Sequence, residues 1–186
     1  MYNGIPSKVI FGQGKLDTLP DVVESMKLER CIVLTTPEQK HLGQRVADML
    51  GSKAVAVFNE ATMHTPLSIT EKAIEVAKEA KIDSAISIGG GSTTGLGKAL
   101  TIRLGLRHIC IPTTYAGSEM TPTLGETVDG RKTTRRDEAI RPHVVIYDVN
   151  LTLTLPVQAS STSGINAIAH AGQFAYAKNI PHYTDR

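Results

Sequence analysis

The chain has 186 residues, 41% hydrophobic and 20% charged, with a formal net charge of +2. At about 100–200 residues per domain this suits one domain and part of a second, and the composition excludes a disordered chain. The near-neutral charge gives no electrostatic case for nucleic acid or a membrane surface as partner, and no apolar run approaches the ~18 residues of a membrane span.

The first residues, MYNGIPSKVIFG, lack the apolar core of a signal peptide, so a cytoplasmic protein is expected. Lys8–Phe11 (KVIF) reads as a short strand closed by Gly12, and Cys31–Thr35 (CIVLT) as a second. Thr36-Pro37-Glu38-Gln39 then has the form of a capping box with proline at the first helical position, predicting a helix to about Leu50. Ala54–Phe58 (AVAVF) is a third strand. Ser68-Ile69-Thr70-Glu71 repeats the capping pattern before a helix with Ile69, Ala73, Val76, Ala77 and Ala80 on one face. Ser84–Ile88 and His108–Ile111 are further strands. Cys31 and Cys110 each fall inside such an apolar run, as buried free thiols do.

Helices alternating with apolar strands predict an α/β fold with a parallel, Rossmann-like sheet covered on both faces. Beyond Pro112 the rhythm changes. Residues 113–121 are small and polar, and Thr123–Arg135 places Asp129-Gly130 between two alternating segments, a hairpin signal. Val144–Asp148 is a last strand, and Pro156–Lys178 reads as an alanine-rich helix.

The stretch SIGGGSTTGLGKAL (residues 87–100) runs from a strand through three glycines into a helix. Free N–H groups at a helix N-terminus suit a phosphate, and the ends of parallel strands are where ligands bind. The competing reading is a turn that only reverses the chain. Neither generic phosphate motif fits. In G-x-G-x-x-G the third glycine falls one position late, at Gly95, and a Walker loop would need a hydroxyl after Lys98, where Ala99 stands.

GGGS after a strand, Lys98, PTTYAGSEMT (residues 112–121), DVNLTLTLP and TSGINAIAHA together resemble the iron-containing alcohol dehydrogenase superfamily. Within it the chain is most similar to the maleylacetate reductases, through GGGSTTGLGKA, PTTYAGSE, MHTP (residues 63–66) and KTT (residues 132–134). The resemblance implies an NAD(P)-binding domain over residues 1–155, followed at 156–186 by only the first helix of an all-α domain. It also implies reduction of maleylacetate to 3-oxoadipate in aromatic-compound degradation, with NADH or NADPH, by a homodimer. Carried over by motif, Gly90, Gly91 and Ser92 would hold the pyrophosphate. Thr113, Thr114 and Ser118 would line the nicotinamide and ribose, and Lys132 would approach the ribose, unless it is simply a solvated hairpin lysine. Thr36 falls where some relatives place an acid on the adenosine ribose, so both cofactors are expected to be accepted.

Asn166 and His170 are one helical turn apart, in the positions of a metal-binding Asp and His of the metal-dependent relatives. An amide is a poor partner for a divalent ion, so no metal is expected. His170 is the candidate proton donor or carboxylate ligand, against the plainer reading of a helix-face histidine. Two further readings remain open: a cofactor-binding or assembly module without turnover, and a metal-dependent alcohol dehydrogenase.

Overall fold

The computed structural model describes residues 7–128 and 130–177. Six strands, β1 (Lys8–Gly12), β2 (Cys31–Leu34), β3 (Ala54–Phe58), β4 (Ser84–Gly89), β5 (Arg107–Pro112) and β8 (Val144–Asp148), form one parallel sheet in the order β1-β8-β5-β4-β2-β3. The helices are α1 (Leu19–Ser25), α2 (Lys40–Leu50), α3 (Leu67–Glu79), α4 (Gly91–Leu104) and α5 (Val157–Ala177). Strands β6 (Thr123–Val128) and β7 (Arg131–Arg136) pair antiparallel as a separate hairpin. Asp129 of the predicted turn lies outside the described residues, as does the predicted helix end at Lys178.

Successive side chains of a strand point to opposite faces, and here both faces are covered. Cys31, Val33, Ile86 and Ile88 pack with Leu19 and Val23 of α1 and Val46 of α2. Ile32, Leu34 and Ala85 pack on the opposite face with Ala73 of α3 and Leu96 and Leu100 of α4. Both cysteines are free and buried. The outer side of α4 packs again, as Ala99 meets Leu124 of the hairpin and Ile140. An Arg103–Glu126 ion pair of 2.9 Å reinforces that layer.

Two local expectations are corrected, and one helix was not anticipated. Residues 19–25 form α1, a short helix with proline in its first turn that seals Leu19, Val22 and Val23 into the core. Residues 37–39 form a 3-10 turn, and α2 starts only at Lys40, with no side-chain cap, because the Gln39 amide reaches Thr113 instead. Helix α3 starts at Leu67 behind Pro66, one residue before the expected cap, and Ala80 ends it.

The chain divides into two compact units, Met1–Leu153 and Thr154–Arg186. Helix α5 belongs to the second. No helix among the described residues is long and apolar enough to cross a membrane.

Candidate functional site

Strand β2 has β3 on one side and β4 on the other, so the chain reverses direction across the sheet between β2 and β4. Such a switch point opens a crevice at the carboxyl ends of the strands, the usual ligand position in open α/β sheets. The glycine turn lies there. Gly89 ends β4 with φ +146°, and a β-carbon on it would stand 2.8 Å from Thr93 Oγ1 and 3.0 Å from Gln39 Oε1. Gly90 is the N-cap of α4 and lends no side chain to the helix end. Its carbonyl accepts from Thr93 Oγ1 (2.9 Å), Thr94 Oγ1 (3.1 Å) and Thr94 N (3.2 Å). The first-turn N–H groups thus have no side-chain cap, and Gly91 is exposed. An anion is the natural complement.

Thr113 sits at the end of β5, buried, with its N–H on the Gly89 carbonyl at 2.9 Å. Its hydroxyl accepts from Gln39 Nε2 at 3.1 Å, a strap from the turn after β2 that the sequence did not mark. Thr114 packs against Gly90, where an added β-carbon would approach Thr114 Cγ2 to 3.0 Å. Thr36 is the N-cap of the 37–39 turn, in extended backbone.

Beside α4 lies a cleft of about 390 Å³, bounded by the 63–65 turn, the start of α4, Ser118 and the hairpin with Lys132. The structure therefore brings together Gly91, Ser92, Ser118 and Lys132 around one cavity. Ser118 Oγ is buried there without a partner in the protein. Lys98, 1% exposed, underlies the cleft. Its Nζ donates to the carbonyls of Ser118 (2.5 Å) and Thr123 (2.8 Å) and to Thr121 Oγ1 (3.1 Å). Burial pulls this lysine down to about 8, against partial support from Cys110 and Glu119.

Beneath α4 a buried polar chain crosses the sheet. His108 Nε2 and Ser87 Oγ are 2.8 Å apart, Ser87 donates to Cys110 Sγ at 3.2 Å, and Thr94 Oγ1 lies 3.2 Å from the same sulfur. Burial holds the His108 imidazole down at about 3 and pushes the Cys110 thiol up to about 11. Neutral groups in hydrogen-bonded contact are what a dry interior tolerates. Tyr147 donates to the buried Glu119 carboxylate at 2.7 Å, and burial raises the phenol well above its ordinary range.

Asn166 and His170 are both exposed on α5 in the second unit. One amide and one imidazole do not make a divalent-ion site, and among the described residues no group of three or more His, Cys, Asp and Glu side chains could hold a metal.

Comparison with known proteins follows the same lines. The family model for iron-containing alcohol dehydrogenase matches residues 6–149. A maleylacetate reductase of Rhizobium sp. is 48% identical over 179 residues, covering 96% of this chain and 51% of the relative. One from Burkholderia cepacia is 51% identical, covering 91% of this chain and 48% of its own length. The crystal structure of maleylacetate reductase from Agrobacterium tumefaciens superposes with a TM-score of 0.90 at 49% identity, over 92% of this chain and 49% of that one. The chain thus spans about half the length of these relatives.

Proposed function

The chain belongs to the iron-containing alcohol dehydrogenase family, and from that premise we propose that it supplies the NAD(P)-binding part, residues 1–155, of a reductase converting maleylacetate to 3-oxoadipate. The observation that carries this reading is the uncapped first turn of α4, opening from a glycine turn at the switch point of a parallel sheet. In this reading Gly90, Gly91 and Ser92 take the pyrophosphate on backbone N–H groups. Thr113, Thr114 and Ser118 face the ribose and nicotinamide, and the partnerless Ser118 hydroxyl has a hydrogen bond to give. Lys132 approaches the ribose from the hairpin. Thr36 stands where an acid would hold the ribose, with the Glu38 carboxylate hydrogen-bonded to its side chain, and we read both NADH and NADPH as accepted.

A nicotinamide held there would supply the hydride. Delivery to a carbon–carbon double bond conjugated with a carbonyl leaves enolate charge on the substrate, which hydrogen-bond donors stabilise without a Lewis acid. His170 is assigned to donate a proton or to hold a carboxylate. Asn166, being neutral, is a poor partner for a divalent ion. Residues 156–186 begin the helical domain of what we read as a cytoplasmic homodimer.

Titration of the purified chain with NADH and NADPH, followed by an assay of maleylacetate-dependent NADH consumption, tests this. Binding of both nucleotides with affinities within about tenfold of each other, and consumption only when maleylacetate is present, are expected. The half-length match to its relatives favours one second reading, a cofactor-binding module without turnover. Binding without consumption selects that module, and failure to bind either nucleotide defeats both readings.

A further inference from the structure

Met63-His64-Thr65-Pro66 has no part in the reading above, yet its backbone is unusual. His64 (φ 66°) and Thr65 (φ 44°) are consecutive non-glycine residues in the left-handed region, which L side chains adopt rarely and which persists only where surroundings over-determine it. Here they do. Thr127 N donates to the Thr65 carbonyl at 3.3 Å, and Pro66 pairs with Thr127 as an isolated parallel bridge. Ile69 N and Thr70 N donate to the Pro66 carbonyl, each at 3.1 Å. The Thr65 side chain packs against Gly95, where any β-carbon would overlap its hydroxyl. Thr65 is buried by these contacts while His64 stays exposed at the cleft wall.

Hairpin, α3 and α4 together thus hold a turn whose effect is to present an imidazole to the cavity. Lys132 and Ser92 line the same cavity, and no described residue lining it is acidic. Once a cofactor takes the start of α4, Ser118 and Lys132, the His64 ring is the side-chain donor of this wall still without a role, and it suits a carboxylate.

We propose that His64 is a substrate-binding residue of this cleft, its imidazole taking one carboxylate of a dicarboxylate substrate. The assignment rests on the proposed function for the dicarboxylate and for what fills the N-terminus of α4.

The test uses the chain saturated with NADH and maleate as an unreactive dicarboxylate probe, with acetate and inorganic phosphate as comparisons. The variant is His64→Asn, because Asn tolerates left-handed backbone and keeps the turn. Maleate is expected to shift the ring-proton resonance that is missing from the variant's spectrum. The variant should bind maleate about tenfold more weakly while its NADH affinity stays within about twofold. Four results overturn the proposal: no maleate binding by the wild-type chain, equal maleate binding by the variant, equal competition by phosphate, or parallel loss of NADH and maleate affinity. A maleate shift of His64 in a chain that fails to bind NADH supports the His64 assignment and overturns the cofactor reading instead.

Discussion

Helices α4 and α5 each carry two glycines beyond the first turn and use them in opposite ways. In α4, Gly97 lies against the His108 ring and Gly95 against Thr65, so one glycine lets the sheet approach and the other the 63–66 turn. In α5, Gly164 and Gly172 have nothing within 4 Å of where a β-carbon would stand, and Ile165 and Ile168 are 68% and 73% exposed. Intrinsic propensity charges both helices alike for glycine. What separates them is packing, because a helix held between two layers needs glycine at its points of contact.

The contrast can be broken at several places. The largest effect expected is acid loss of the α4 layer. The unfolded chain takes a proton on His108 near pH 6.5, whereas burial holds the folded imidazole at about 3. The unfolded state thus binds more protons between these values, and stability falls as pH drops through that window, by up to about 5 kcal/mol. Urea unfolding midpoints that stay level between neutral pH and the acid limit would contradict this. Next is Gly97→Ala, which forces the His108 ring off Ser87 and should cost about 3 kcal/mol by overpacking, read from the same unfolding curves. Gly95→Ala should cost about 1–2 kcal/mol and displace the 63–66 turn, visible as altered His64 and Thr65 amide resonances. Smallest, and opposite in sign, are Gly164→Ala and Gly172→Ala, each expected to strengthen α5 by about 0.5–1 kcal/mol, measured as higher helical circular dichroism. If Gly97→Ala proves as harmless as Gly164→Ala, the account of α4 fails.

The inner strands β2, β4, β5 and β8 were legible because burial on both faces leaves continuous apolar runs, and the six-stranded sheet has the predicted parallel pairing. The glycine turn was legible because its chemistry is local. Helix α1 was not, since seven residues give too short a period to stand out. The two capping boxes misled because tertiary contacts outbid local ones: Gln39 bonds Thr113 in preference to its own turn, and α3 begins behind Pro66. The cleft wall was legible only as the MHTP motif, for nothing in His64-Thr65 as residue types signals left-handed backbone. Lys98 was visible as a motif residue, but its three oxygen partners lie 20 to 25 positions along the chain.

That lysine gives the segment from Ser118 to Thr123 an unusual kind of independence. Loops that gather several oxygens around one positive centre commonly borrow the centre from solution, and then their order follows the ionic composition of the medium. Here two carbonyls and a hydroxyl gather around an ammonium on a tether, supplied from the third turn of α4. Dialysis cannot remove it and no competing ion can exchange with it. The rim of the cleft therefore carries its own cation below about pH 8, fixed in stoichiometry when the chain is made.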